Sequence, residues 1–202
     1  MSVHALVVET PTRKMIVDTC IGNDKQRSVP NWTNLQLPFL EDLSKAGYET
    51  HEIDTVMCTH LHVDHVGWNT MLVDGKWIPT FPNARYLMGR TEYEYWDKAE
   101  ADKPESDKAP DELNQGVMGD SVRPVFDAGL VDLVGMNHSV CDEVFLEPTT
   151  GHTPGHVSIH IQSEGAEALI TGDCIHHPCQ IEHLDWASSA DFDQTASTLS
   201  LL

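Results

Sequence analysis

Three histidines and one aspartate lie within six residues, in the stretch HLHVDH. Imidazole and carboxylate groups crowded in this way repel one another when they carry like charges, and they lack partners when they are buried. A metal ion removes both difficulties, because histidine nitrogens and carboxylate oxygens are metal donors. His60 and His62 are two residues apart, so their side chains project to the same side and can coordinate one metal ion. Asp64 and His65 follow and can face a second ion, so the sequence predicts a metal site here.

Two later stretches carry the further donors that a site for two ions needs. In TTGHTPGHVSI, His152 lies between glycines at a predicted turn that leads into a strand. In ALITGDCIHHP, Asp173 follows a predicted strand and a glycine. Loops at strand ends are where ligand groups from distant parts of a chain converge. A loop histidine or a strand-end aspartate alone is more often structural, so the prediction depends on the order of all three stretches.

The order HLHVDH, GHTPGH, TGD resembles that of the metallo-β-lactamase superfamily, and the resemblance spans nearly the whole chain. The flanking runs DHVGWN, FPNARYLMGRTEYEYW and TGDCIHHPCQ are most similar to its bacterial lactonase and organophosphate-hydrolase-like branch. The resemblance implies an α/β (α+β) fold, the αββα sandwich, with a dinuclear metal site. The ligands it implies are His60, His62 and His152 for the first ion, Asp64 and His65 for the second, and Asp173 as the bridge.

By this resemblance the chain is a metal-dependent hydrolase that uses a metal-bridging hydroxide to open a lactone or cleave a related carboxylic or phosphoric ester. Two divalent ions, two aspartates and the hydroxide leave a charge of about +1, which would stabilise the developing oxyanion. Asp64 is the predicted catalytic residue, because it can orient the hydroxide or protonate the leaving group. Zinc suits these donors best, and iron, manganese and cobalt stay open. The diiron branch has a glutamate where this chain has His62, which argues against redox chemistry.

Three further residues are candidates for the substrate pocket. Trp68 is close to the histidine cluster in sequence and could either wall a pocket or pack in the core. His176 and His177 follow Asp173 closely and could support a ligand, contact the substrate or be structural. Two other functions stay open: hydrolysis of a thioester by an enzyme of the glyoxalase type, and a catalytically silent metal-binding fragment.

The elements that must position these residues alternate between strands and helices, which indicates an α/β class. Hairpins are predicted in HALVVETPTRKMIVDT and MLVDGKWIP, and a short strand in IDTVMCTH ends at the histidine cluster. Helices are predicted at 38–46 and at 117–128 with a break at Pro124, and residues 90–96 are predicted to start another. Later strands are predicted from residue 131, at 144–146, 157–161 and 168–170. Residues 98–115 are rich in charge and proline, which predicts a mobile acidic excursion.

The chain is predicted to be a single but incomplete domain over residues 1–202. The family pattern places one more histidine for the second ion well downstream of the bridging aspartate, whereas His183, the last histidine here, comes soon after Asp173. We therefore expect a weakened second metal site, missing C-terminal elements and missing N-terminal strands.

Composition argues against several classes of partner. The formal net charge is -20 with His neutral, and a field of that sign repels phosphate backbones, so nucleic acid is not expected. The sequence contains no run of about 18 apolar residues, so a membrane span is not predicted. The first residues have no signal-peptide pattern. Five cysteines without CxxC spacing fit reduced thiols in a cytoplasmic protein. The family resemblance also suggests a homodimer.

Overall fold

The computed structural model describes residues 3–101, 114–183, 186 and 191–200. Its backbone contacts divide the chain into two compact units, Met1–Leu87 with Trp96–Asp132 and Met88–Tyr95 with Leu133–Leu202. The single domain stays a prediction.

The first unit contains most of the predicted strands and helices. Its elements are β1 (Leu6–Glu9), β2 (Lys14–Val17), α1 (Phe39–Lys45), β3 (Thr55–Met57), β4 (Thr70–Val73), β5 (Lys76–Pro79), β6 (Arg85–Gly89), α2 (Arg90–Ala101), a π-helical turn (Met118–Val122), α3 (Arg123–Asp127) and β7 (Val131–Val134), where β6, α2 and β7 extend across a unit boundary. A five-stranded sheet has the order β1-β2-β3-β6-β7. Strands β2, β3 and β6 are parallel, and β1 is antiparallel to β2, which confirms the first predicted hairpin.

Strands β2 and β3 bring two chain turns to one edge of the sheet. Ile16 pairs with Val56, and both residues are fully buried, as expected in a parallel sheet covered on both faces. Because the strands run in the same direction, the turn after β2 and the loop after β3 leave the sheet side by side. The loop after β3 is the one that carries HLHVDH.

The second predicted hairpin is also confirmed. Strands β4 and β5 are antiparallel, and they are joined by Asp74 and Gly75 with φ values of 50° and 75°. Two successive residues with positive φ are the signature of a type I′ turn, for which Asp-Gly is a favoured pair.

The segment predicted as a helix with a break at Pro124 is wound differently. A π-helical turn at Met118–Val122 leads directly into α3. Pro124 lies in the first turn of α3, and the carbonyl oxygen of Asp120, four residues earlier, accepts from Lys25 Nζ and the Thr70 hydroxyl instead of from a helix amide. The proline therefore lies where the π-helical turn passes into the α-helix and does not interrupt the helical segment.

Only the ends of the predicted excursion at 98–115 can be compared with the structure. Helix α2 extends to Ala101 and so includes the first four of these residues. Residues 102–113 lie outside the described part of the chain, and the excursion stays a prediction.

The second unit is built on a three-stranded antiparallel sheet. Its elements are β8 (Val144–Pro148), β9 (Val157–Ser163), β10 (Ala166–Ile170), α4 (Cys179–Glu182) and α5 (Gln194–Leu199), and the strand order is β10-β9-β8. Strands β9 and β10 are longer than predicted, because Glu164 and Gly165, with φ values of 52° and 81°, form a tight turn between them. The apolar runs alone did not indicate this turn.

Both units mix strands and helices, which confirms the predicted α/β class. Among the described residues, no helix is long and apolar enough to cross a membrane.

Candidate metal centre

The histidine cluster of the first unit is buried and tightly packed. His60, His62 and Asp64 expose only 1%, 8% and 8% of their surfaces. The centre of the His60 ring lies 4.5 Å from that of His62 and 4.1 Å from that of His65. Protonation of all three rings would place like charges in contact, at a high electrostatic cost. Neutral imidazole is the form in which histidine binds divalent metal ions.

Asp18, at the end of β2, holds this cluster in place. Its carboxylate accepts hydrogen bonds from the backbone amide and the hydroxyl of Thr59, at 2.8 and 2.9 Å. Nδ1 of His65 lies 2.8 Å from the second carboxylate oxygen. When Nδ1 donates its hydrogen to Asp18, Nε2 of His65 keeps its lone pair for a metal ion. The nearest oxygen of Asp64 is 3.8 Å from this Nε2.

Backbone hydrogen bonds fix the turn after β2 to the histidine loop. The amide of Thr19 donates to the carbonyl oxygen of His65 at 2.6 Å, and the amide of Gly67 donates to the carbonyl oxygen of Cys20 at 2.7 Å. The approach is so close that a Cβ atom at Gly67 would lie 1.9 Å from the carbonyl group of Ile21. Only glycine fits at this position.

A buried ion cluster fixes the loop that continues from this turn. The ammonium of Lys25 donates to the hydroxyl of Thr70 at 2.8 Å and lies 3.9 Å from the centre of the Trp77 ring. The guanidinium of Arg27 donates to both oxygens of Asp120, at 2.6 and 2.9 Å. Burial lowers the pKa of Lys25 from 10.5 to about 8. This cluster connects the loop to the π-helical turn.

Trp68 lies in the wall of an apolar cavity within the first unit. The residue is 6% exposed, and its ring stacks on Phe39 with the centroids 5.1 Å apart. The cavity has a volume of about 440 Å³, and Ile16, Cys20 and Ile21 also line it. Burial raises the pKa of the Cys20 thiol to about 12, so this cysteine is a neutral part of the wall.

The second unit brings together three candidate ligands. Nε2 of His152 lies 3.6 Å from one oxygen of Asp173, and Nε2 of His176 lies 3.3 Å from the same oxygen. One potential ligand atom from each of the three residues lies within 4.8 Å of the other two. Nδ1 of His152 is 2.6 Å from Oδ1 of Asp191, whose side chain is 1% exposed. A donor hydrogen on Nδ1 leaves Nε2 of His152 directed at Asp173 with its lone pair available.

Two further residues position the turns of this unit. The backbone amide of Gly155 donates to Oε2 of Glu92 at 3.0 Å, and Glu92 is 1% exposed. A Cβ atom at Gly155 would lie 2.3 Å from the backbone nitrogen of Glu92. The amide of Asp173 donates to Nε2 of His156 at 3.0 Å, and Nδ1 of His156 lies 2.9 Å from the hydroxyl of Thr149. His156 therefore holds the backbone of a candidate ligand.

His177 has a different environment from that of its neighbour His176. Its Nδ1 accepts a hydrogen bond from the amide of Cys179 at 3.2 Å, at the beginning of α4. The residue is exposed, and it is not part of the metal-ligand groups found among the described residues.

Sequence reasoning missed the residues that hold the ligands. Asp18 follows the apolar strand Met15–Val17 just as Asp173 follows β10, so the same strand-end signal could have found it. Glu92 reads as an ordinary residue of an amphipathic helix. Asp191 lies in a polar segment without a motif. Nothing local marks either residue.

Comparisons with known proteins give a family and a fold. The profile of the metallo-beta-lactamase superfamily matches residues 1–202. The N-acyl homoserine lactonase AiiA of Bacillus thuringiensis subsp. kurstaki is 27% identical over 128 residues, which are 63% of this chain and 40% of that lactonase. Among solved structures, the hydrolase AbOPH of the beta lactamase superfamily has a TM-score of 0.76 at 23% identity. The match covers 97% of this chain and 64% of the AbOPH chain.

A second solved structure has a related description. AidC, a dizinc quorum-quenching lactonase in complex with the product N-hexnoyl-L-homoserine, has a TM-score of 0.73 at 22% identity. The match covers 97% of this chain and 65% of AidC. These structures support the predicted metallo-β-lactamase fold. The chain thus spans less than two thirds of the length of these relatives.

Proposed function

The chain belongs to the metallo-β-lactamase superfamily, and from this premise we propose that it is a metal-dependent hydrolase that opens a lactone or cleaves a related carboxylic or phosphoric ester. Similarity to AiiA and AidC supports the lactone as the first choice of substrate. The observation that carries the proposal is the packing of the His60, His62 and His65 rings, with a carboxylate on Nδ1 of His65. That arrangement brings several nitrogen donors together beside a carboxylate, as a metal site requires.

Our proposal for the ligands follows the family pattern. His60, His62 and His152 would hold the first divalent ion, Asp64 and His65 would hold the second, and Asp173 would be a ligand shared by the two. The donors of each unit fit this assignment in chemistry, because each set joins imidazole nitrogen to a carboxylate. Zinc is the first choice, since AidC is described as a dizinc lactonase and zinc accepts histidine and carboxylate donors. Iron, manganese and cobalt are alternatives for the same donors.

When bound, two such ions lower the pKa of a coordinated water molecule towards neutrality and stabilise the negative charge that develops during hydrolysis. The residues of the chain have separate tasks. Asp64 would accept a hydrogen bond from the attacking water and orient it towards the carbonyl or phosphoryl centre, or would take a proton from it and later pass that proton to the leaving group. Asp18 keeps His65 in one orientation throughout, through the hydrogen bond to Nδ1.

The apolar part of the substrate is assigned to the cavity lined by Trp68. Its volume of about 440 Å³ is in the range of small-molecule sites, and its walls are mainly aliphatic and aromatic side chains. Burial of each methylene group in such a cavity contributes about 0.8 kcal/mol. We therefore expect substrates with a longer acyl chain to be favoured until the cavity is full.

Hydrolysis assays with matched variants test this function. The purified chain, loaded with zinc, is assayed on acyl lactones, aryl esters, phosphotriesters and thioesters. Hydrolysis of lactones by the wild-type chain, lost by at least about 100-fold in Asp64→Asn, is expected. Asp142→Asn, at an exposed aspartate of the second unit, is the control and should keep the activity.

Two results would contradict the proposal. Preferred cleavage of thioesters would indicate the glyoxalase type of reaction. Binding of a single zinc equivalent without turnover of any substrate would indicate the silent metal-binding fragment.

A further inference from the structure

His176 has the position of a metal ligand within the second unit. It is three residues after Asp173, and the short 3-10 turn Gly172–Cys174 places the two side chains next to each other. Nε2 of His176 lies 3.3 Å from the Asp173 oxygen that is also 3.6 Å from Nε2 of His152. The same carboxylate oxygen thus has two imidazole nitrogens near it, one from His152 and one from His176.

These distances are close to those that zinc coordination requires. Zinc bonds to nitrogen and oxygen are about 2.0–2.2 Å long, so two ligands of a tetrahedral site are about 3.3 Å apart. The two nitrogen-to-oxygen distances are 3.3 and 3.6 Å, and all three ligand atoms lie within 4.8 Å of one another. Only a small adjustment of the side chains is needed for the three groups to share one ion.

The groups around the cluster favour this role. Asp191 holds Nδ1 of His152, so Nε2 is the donor atom that faces Asp173. The backbone amides of His176 and His177 both donate to Oε1 of Gln180, at 2.7 and 2.9 Å, which fixes the main chain after the turn. The side chain of His176 is 27% exposed, so an ion can reach it from solvent.

We infer that His176 is a metal ligand, and that with His152 and Asp173 it forms a three-donor site for a divalent transition-metal ion, zinc first. The inference rests on the proposed function in so far as His152 and Asp173 are ligands there, and it adds a donor that the family pattern does not assign. It adds a donor, from a nearby position in the sequence, to the ion that His152 and Asp173 would share.

The adjacent histidine provides a matched control. His177 has the same side chain, is also exposed and shares the contact of its backbone amide with Gln180, but its Nδ1 accepts from the Cys179 amide. A substitution at 177 therefore reproduces the loss of an imidazole near Asp173 without the loss of a ligand.

Metal titrations of the full chain test the inference. The wild type, His176→Gln and His177→Gln are stripped of metal and titrated with zinc against a chromophoric chelator, and with cobalt while the visible d–d band is recorded. His176→Gln should weaken the affinity for one metal equivalent by about 10-fold or more and alter the cobalt band. His177→Gln should match the wild type within about twofold, since it lies outside the cluster. His176→Asp, which restores a donor oxygen, should recover part of the affinity.

The metal titrations and the hydrolysis assays test the ligand role of His176 and the proposed function separately. If His176→Gln binds zinc and cobalt as the wild type does, the inference is wrong, even when lactones are hydrolysed. If zinc affinity depends on His176 and none of the substrates is cleaved, the ligand assignment stands and the proposed function fails. Circular dichroism of each variant checks that the fold is intact. If His176→Gln does not fold, His176→Asp takes its place in the comparison. The inference then requires that the cobalt band of His176→Asp differ from that of the wild type.

Discussion

The two groups of candidate ligands are built in different ways. In the first unit, His60, His62, Asp64 and His65 come from one loop that follows a buried parallel strand. In the second unit, His152 lies in the turn before β9, whereas Asp173 and His176 follow β10. The first group is local in sequence, and the second exists only after an antiparallel hairpin has formed.

The two groups share one device. In each, Nδ1 of one histidine meets a buried carboxylate from a distant part of the chain, His65 with Asp18 and His152 with Asp191. Such a carboxylate fixes the ring and the tautomer, so that Nε2 is presented to the ion. The difference teaches that the types of the ligands are set locally, while their orientation depends on contacts that are far apart in sequence.

The largest effect is expected for Gly67→Ala, which disrupts the first group. The added Cβ atom would lie 1.9 Å from the carbonyl group of Ile21 and 2.4 Å from the backbone nitrogen of Gly22, and these backbone atoms have little room to move. We expect the free energy of unfolding to fall by about 3 kcal/mol or more. Urea denaturation measures it, with Gly119→Ala of the same unit as the control, because no atom lies within 4 Å of the corresponding Cβ position. Equal stability of the two variants would contradict the close packing.

Gly155→Ala makes the matching change in the second group. Its Cβ atom would lie 2.3 Å from the backbone nitrogen of Glu92, and the amide that donates to Glu92 would be displaced. The expected loss is about 2–3 kcal/mol, smaller than at Gly67 because the contact is longer. Gly135→Ala, with open space at its Cβ position, is the control in this unit. If Gly155→Ala lowers the free energy of unfolding no more than Gly135→Ala does, α2 moves away from the added Cβ atom without strain.

The shared device is tested by Asp18→Asn and Asp191→Asn. The NH₂ group of an asparagine in place of the carboxylate can donate a hydrogen bond to Nδ1. The ring hydrogen then moves to Nε2, which loses the lone pair that would bind a metal ion. Zinc affinity should fall by about 10- to 100-fold in each variant. Asp42→Asn, on the exposed face of α1, should leave it unchanged. A zinc titration measures the affinity, and nitrogen NMR of the imidazoles reports the tautomer.

A difference between the two asparagine variants would sharpen the comparison. Asp18 also accepts two hydrogen bonds from Thr59, so Asp18→Asn should lower the free energy of unfolding by about 1–3 kcal/mol as well. Unchanged zinc affinity in both variants would mean that the carboxylates serve stability alone.

This contrast explains how much the sequence could reveal. HLHVDH was readable because its four donors are contiguous, and the strand before it has a strong apolar pattern. The hairpins at Asp74-Gly75 and at residues 10–13 were predictable from turn chemistry and alternating apolar residues. Asp191 and Glu92 were not, because a polar residue in a loop or on a helix shows no sign of the partner that it meets after folding.

Helix winding was the least predictable feature of the fold. Pro124 is compatible either with a break in a long helix or with the first turn of a new one, and the choice depends on the preceding residues. Those residues form a π-helical turn in which Asp120 is bound by Arg27 from a loop far upstream. Local propensity carries no information on that ion pair.

The smallest effect is expected for Lys25→Met, which probes the loop that supports the first group. The folded chain holds the pKa of Lys25 at about 8, below its ordinary value of 10.5, because the ammonium is buried. Between these values the unfolded chain binds more protons than the folded chain, so the free energy of unfolding of the wild type rises with pH. From about pH 7 to about pH 9 the gain from this residue is about 1 kcal/mol.

Methionine cannot titrate, so the variant should lack this part of the rise. The quantity to measure is the difference in the free energy of unfolding between wild type and Lys25→Met, obtained from urea denaturation at a series of pH values. The same series of measurements on Lys76→Met, at an exposed lysine of β5, is the control. If the Lys25 difference is flat, the ammonium is stabilised by Asp120 and the Trp77 ring as fully as by water, and the ion cluster supports the histidine loop without an electrostatic penalty.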